Sequence, residues 1–149
     1  PKLYLDAESI VYIKEAFYYY TIRKGSIMSG TRAEKNYTDR TAMLRTTLEY
    51  YRQQGVFEKY KPDLDYFSFG AGYFEPSKEI ILADRKSPYI KKFRIFMYGM
   101  FPEFKKNPYM ARLRTKDRIH LAILDTRQYW IMVMLSQMRH FAARLCTRQ

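Results

Sequence analysis

Residues 10–30 read IVYIKEAFYYYTIRKGSIMSG, and the reading of this stretch decides whether the chain carries a β edge. It holds two apolar runs, Ile10–Ile13 and Phe17–Ile22, joined by the polar pair Lys14-Glu15, and it closes on a cationic loop, Arg23-Lys24-Gly25-Ser26. β-branched and aromatic residues dominate both runs, which predicts two short strands followed by a loop. Side chains alternate faces along a strand, so one or two of Tyr18, Tyr19 and Tyr20 must be core. Two strands alone bury too little surface to stand in water, so they require something to rest on.

Outward from this stretch the pattern is helical. Residues 2–8 (KLYLDAE) read as the end of a helix. A long helix is predicted to begin between Thr31 and Asn36, because Tyr37, Thr41, Leu44, Leu48 and Tyr51 recur at helical spacing, and Gly55 stops it. Pro62 suits a first helical residue, with Asp63 and Asp65 in the positive first turn. The apolar segment from there to Ala83 is interrupted by Gly70, Gly72 and Pro76, predicting one broken helix or two short ones, kinked near Pro76. Ser87-Pro88 caps the next helix, which carries Tyr89, Phe93, Phe96 and Met100 and ends before Pro102. Asn107-Pro108 marks a loop. Thr115 is then expected to cap a last and longest helix running to about Leu145, with the stripe Leu124, Gln128, Ile131, Leu135, Met138, Ala142 and Leu145. Residues 129–135 (YWIMVML) are apolar on every face, so this part of the helix is buried deeply or contacts something apolar outside the chain. The expected fold is mainly α, four or five helices with a short two-strand β remnant near the N-terminus.

The chain has 149 residues, a size that suits one hydrophobic core. Its formal net charge of +12 favours anionic partners: nucleic acid, acidic phospholipid or phosphorylated sugar donors. The single cysteine, Cys146, excludes an internal disulfide and suits a reducing compartment. No run of apolar residues is long enough to span a bilayer as a helix.

The first thirty residues resemble the segment that ends the catalytic domain of bacterial family 2 glycosyltransferases of capsule, exopolysaccharide and lipopolysaccharide biosynthesis. Members of that kind carry the run IVYI-P-E-x-LYYYR-x-R-x-GSI after an acidic pair and a helix. The matching residues are Ile10-Val11-Tyr12-Ile13, Glu15, Phe17-Tyr18-Tyr19-Tyr20, Arg23 and Gly25-Ser26-Ile27-Met28, while Lys14 stands where proline is usual and Thr21 where arginine is common. The resemblance implies that residues 1–30 are the tail end of a GT-A type catalytic domain and residues 31–149 a helical C-terminal domain. It implies that the nucleotide-sugar site, the Asp-x-Asp motif and the catalytic base lie before Pro1. A chain opening on Pro-Lys is then expected to be an excised piece, inactive alone. The parent would use a divalent metal, Mg or Mn, with no cofactor in this piece. Its partners would be the missing catalytic domain, a nucleotide sugar and a lipid-linked or oligosaccharide acceptor. The resemblance also sets Arg23, Lys24 and Ser26 beside the donor diphosphate or the acceptor, where a guanidinium would stabilise leaving phosphates. The competing reading of that loop is a β-turn with two exposed cations.

Charge is uneven along the chain. From Arg85 to Arg118 eleven Lys and Arg face two acids, Glu103 and Asp117, and interleave with Tyr89, Phe93, Phe96, Tyr98, Phe101, Phe104 and Tyr109. Cations beside interfacial aromatics are what a helix lying on an anionic membrane requires. The candidate membrane contacts are Lys91, Lys92, Arg94, Lys105, Lys106, Arg112, Arg114 and Trp130, which would hold the protein peripherally on the cytoplasmic face of the plasma membrane. The competing readings are a solvated basic face with its aromatics turned into the core, and a self-contained helical module binding nucleic acid or anionic lipid. Nucleic acid is the weaker of these, since no recognition motif of a common module is present. Pairing of the strands and of the apolar last helix between copies would give a homodimer. Catalytic constellations are otherwise absent. His120 and His140 would sit about 30 Å apart on one helix, and Cys146 has no histidine partner in register. Asp63-Leu64-Asp65 has the letters of the family's metal motif, but at a helix start it reads as dipole stabilisation.

Overall fold

The computed structural model describes residues 2–16, 18 and 33–146. Among them the chain is mainly helical. The longest helix, α2 (Ala33–Gln53), buries Thr41, Leu44, Thr47, Leu48 and Tyr51, the face its spacing predicts. It ends where glycine allows. Gly55 adopts φ 70, its N–H bonds the Arg52 carbonyl (2.9 Å), and the Val56 N–H reaches the Tyr51 carbonyl (3.2 Å). This pair of bonds is the Schellman closure. A short helix, α1 (Lys2–Asp6), lies against α2, where the Tyr50 hydroxyl donates to the Asp6 carboxylate at 2.7 Å.

Helix α3 (Lys61–Phe69), a π segment (Gly70–Phe74) and α4 (Glu75–Ala83) run on as one rod. The expected break near Pro76 is therefore a widening just before the proline, not a kink between separate helices. Its cause lies in the burial pattern. Buried residues recur at strict intervals of four, as Leu64, Ser68, Gly72, Pro76 and Ile80 and as Asp65, Phe69, Tyr73, Ser77 and Ile81. An α-helix drifts about 40° past a full turn every four residues. One wider turn takes up that drift and returns both rows to the core. Gly72 lets α2 ride directly on this turn, for a Cβ there would fall 2.3 Å from Leu44 Cδ1.

Helix α5 (Pro88–Met100) begins at the predicted cap, where Ser87 Oγ accepts from the Tyr89 N–H (3.4 Å), and it buries Ile90, Phe93, Phe96 and Met97. Two 3-10 turns follow, Phe104–Lys106 and Pro108–Arg112, the second opened by Asn107 Oδ1 accepting from the Tyr109 N–H (2.9 Å).

The predicted single helix from Thr115 to Leu145 is two helices, α6 (Thr115–Thr126) and α7 (Tyr129–Cys146). Thr115 is the first residue of α6 and not its cap; Arg114 takes the capping position, without a side-chain cap bond. The break falls at Arg127, which adopts φ 59. Contacts from elsewhere in the fold impose it. Arg94 of α5 donates to the carbonyls of Leu124 (2.9 Å) and Asp125 (3.3 Å), ending the hydrogen-bond ladder of α6 from outside. A left-handed residue with a Cβ costs about 1–2 kcal/mol. Replacing Arg127 by glycine should therefore raise stability by up to about 1 kcal/mol, read as a higher denaturant midpoint.

The core is aromatic. Phe69 stacks on Phe74 (centroids 5.1 Å) and on Phe104 (5.5 Å), and Tyr98 meets Phe104 edge-on (5.2 Å). The first predicted strand, Ile10–Ile13, has no regular structure, and no strand occurs among the described residues. An isolated run of this kind needs a sheet to join, and the described body offers only helices. The second run, Phe17–Ile22, lies outside the described residues apart from Tyr18.

Candidate functional site

A cleft of about 670 Å³ lies beside the π segment, lined by Arg40, Asp63, Tyr66, Phe67, Gly70, Ala71, Glu75, Tyr109 and Arg112. In a π turn the carbonyl of residue 71 would take its bond from residue 76, but Pro76 has no N–H. Arg40 reaches across from α2 and donates to that carbonyl instead (3.0 Å). Its guanidinium is held by Asn36 Oδ1 one turn back and by Glu79 at 3.6 Å, and Asn36 Nδ2 donates to the same Glu79 carboxylate (3.4 Å). Three elements are thereby fixed around one orphan backbone group. Replacing Arg40 by methionine should cost about 1–2 kcal/mol, because the Ala71 carbonyl loses a charged donor while the packing stem remains.

The opposite wall comes from the second 3-10 turn. Asn107 Nδ2 donates to the Pro62 carbonyl (2.7 Å) and ties that turn to the start of α3. The Tyr109 hydroxyl then donates to Asp63 Oδ1 (3.0 Å), and its ring lies 5.6 Å from that of Tyr66. The Arg112 guanidinium sits over the Tyr109 ring at 5.1 Å. The hydrogen bond to Asp63 raises the Tyr109 pKa above its ordinary value. The cleft thus has aromatic walls, a backbone floor and a rim with two guanidiniums and two carboxylates. Most of these polar groups are already engaged, Arg40 with the Ala71 carbonyl, Asp63 with Tyr109 and Glu75 with Lys78 (3.0 Å). That leaves the Arg112 guanidinium and the aromatic faces as the parts of the cleft turned to a ligand. Its balanced charge is not that of a phosphate cradle.

The loop residues Arg23, Lys24 and Ser26 lie outside the described residues. The basic window from Arg85 to Arg118 is largely engaged with the protein itself. Its aromatics face inward: Phe93, Phe96, Phe101 and Phe104 are buried, and Tyr89, Tyr98 and Tyr109 half-buried. Arg94 caps α6, as described above. Lys105 pairs with Asp125 (2.8 Å), Lys106 with Glu103, and Arg114 with Asp117 (3.1 Å). Lys92 lies over the Tyr89 ring (4.3 Å). Arg118 donates to the carbonyls of Ala111 and Leu113, and among the described residues of the window Arg85, Lys86, Lys91, Lys92, Arg112 and Lys116 form no ion pair. Trp130 is half-exposed, its indole N–H donating to Gln128 Oε1 (2.8 Å).

The Asp63-Leu64-Asp65 carboxylates do not fit a metal site. Asp65 is buried and bonded by Lys61 (2.7 Å), while Asp63 holds Tyr109. His120 sits on α6, and the side chains of His140 and Cys146 lie outside the described residues. Burial lowers the His120 pKa, with Lys78, Arg139 and Lys116 acting in the same direction and Asp117 against them. A histidine held neutral in the fold takes up its proton more readily when unfolded. Stability should therefore fall as pH drops below about 6.5, the unfolded value. In His120→Gln that part of the slope should be absent from denaturant midpoints measured against pH.

No known protein family, curated protein or solved structure matches the chain.

Proposed function

We propose that the chain is the C-terminal region of a family 2 glycosyltransferase. The parent transfers a sugar from a nucleotide-sugar donor to a lipid-linked or oligosaccharide acceptor. Its divalent metal is bound outside this chain. This region completes the acceptor side, with the π-segment cleft as the surface that meets a saccharide, and it docks peripherally on the anionic inner face of the plasma membrane.

The observation that carries the proposal is the stretch from Ile10 to Met28, and the surface exposure of its first run supports it. Ile10, Val11, Tyr12 and Ile13 are between 59% and 84% exposed. Leaving a β-prone apolar run in water forgoes about 1.5–3 kcal/mol per side chain, which docking on a sheet would recover. Among the described residues no helix is long and apolar enough to cross a membrane, so attachment in this reading is to the surface.

The coding sequence upstream of Pro1 provides the first test. An open frame encoding an acidic pair just before Pro1, with an Asp-x-Asp motif further upstream, is expected. That longer protein should release nucleoside diphosphate from a nucleotide sugar when Mn is supplied. A start codon immediately before Pro1 would overturn the proposal and leave a self-contained basic helical module. Co-sedimentation with vesicles tests docking separately: binding to anionic vesicles that weakens with salt is expected, and no binding to any vesicle would remove the membrane from the proposal.

A further inference from the structure

Helix α7 is apolar on the side that packs and also on the side that does not. Met132 is buried, and Ile131, Leu135 and Ser136 are half-buried against the body. On the opposite side Trp130, Met134, Met138 and Phe141 follow at intervals of four, four and three, each between 41% and 67% exposed. Gln137 is the polar residue on that line. The row extends about 16 Å along the helix axis. A water-facing helix side is ordinarily polar. Among the described residues nothing buries this row, which favours the second of the two fates the sequence allows for the segment, contact with something apolar outside the chain.

Charge selects the partner. After Asp125 the chain contains four arginines, Arg127, Arg139, Arg144 and Arg148, and no aspartate or glutamate. A second copy would bring a like-charged helix against this one, on a chain that already carries +12. An anionic bilayer surface supplies both the opposite charge and an apolar layer at shallow depth. An amphipathic basic helix with Trp and Phe on its apolar side is suited to lie in that layer, and an indole N–H at that depth can turn to the headgroups.

We infer that α7 inserts the row Trp130, Met134, Met138 and Phe141 into the surface of an anionic bilayer. This rests on the docking part of the proposal above and assigns docking to α7 in place of the basic window from Arg85 to Arg118, whose phenylalanines are core.

Trp130 is the only tryptophan of the chain and reports directly on the inference. Its emission should shift to the blue with vesicles of phosphatidylglycerol mixed with phosphatidylcholine, and not with phosphatidylcholine alone. In the double variant Met134→Gln, Met138→Gln the vesicle affinity should fall at least tenfold. Both positions are exposed, and an unchanged thermal midpoint would show that the fold is retained. If the protein sediments with anionic vesicles but Trp130 emission stays fixed and the variant binds as well as the parent, docking stands and α7 is not its site. If no vesicle binds, docking and the inference fall together. A blue shift that grows with protein concentration in the absence of vesicles would mean that a second copy covers the row. Emission that responds to an oligonucleotide and not to lipid would assign the surface to nucleic acid. Either result overturns the inference.

Discussion

Phe104→Ala should lower unfolding free energy by about 3–5 kcal/mol, the usual cost of removing a buried phenyl ring. Phe104 is 1% exposed, on a three-residue 3-10 turn. Its ring is enclosed by Phe69 at 5.5 Å, Tyr73 at 6.3 Å and Tyr98 at 5.2 Å, which belong to three different segments. The turn itself has few bonds with which to close the cavity. The substitution also separates two meanings of an aromatic residue in a basic stretch. A membrane-facing phenyl could be truncated with little effect on the free protein, whereas this one should collapse the denaturant midpoint. Trp130→Ala is the natural comparison, because its half-exposed ring should cost far less stability.

The second large effect is expected at Asp125, near the end of α6. Its two carboxylate oxygens accept from the Tyr98 hydroxyl (2.7 Å) and from Lys105 (2.8 Å), while Arg94 takes the adjacent backbone carbonyls. Asp125→Ala removes both side-chain bonds, leaving the half-buried Tyr98 hydroxyl without its acceptor. Charge-assisted bonds of this kind contribute about 1.5–3 kcal/mol each where they are shielded. The side chain of Asp125 is 28% exposed and that of Lys105 45%, so the lysine bond is partly screened. A loss of about 2–3 kcal/mol is expected for the pair. Asp125→Asn should recover part of it, since an amide oxygen can still accept from Tyr98. The same network fixes where α6 stops. Losing it should also show as faster amide exchange through residues 123–128.

How far the fold was legible depended on whether its causes were local. The α2 stripe and its Gly55 terminus were readable because 3.6-residue periodicity and a left-handed glycine are properties of the segment itself. Ser87 and Asn107 were readable for the same reason, each bonding a backbone N–H two residues on. The break at Arg127 was not. Nothing in Thr126-Arg127-Gln128 demands a stop, and the capping donor comes from Arg94, far away in sequence. The π segment was not legible either, because half of the residues on its buried fours, Asp65, Ser68, Gly72, Pro76 and Ser77, lack large apolar side chains. The cleft was hidden because Arg40 and Ala71 meet only after folding. Asp63 and Tyr109 were each visible, but as a dipole-stabilising acid and a possible interfacial ring, not as partners.

The π segment also bears on how the rod carries its proline. A π turn is what remains when one surplus residue enters an α-helix and both flanks keep their faces. Leu64 and Phe69 on one side, Ile80 and Ile81 on the other, are all buried. The core therefore tolerates the extra length without repacking. A chain shorter by one residue between Gly70 and Phe74 would keep both buried faces but would set Pro76 inside an ordinary α-turn, where its ring meets the carbonyl four residues back. The wider turn is thus what lets a proline sit in the middle of a buried rod without bending it, with Arg40 supplying the bond that the proline cannot.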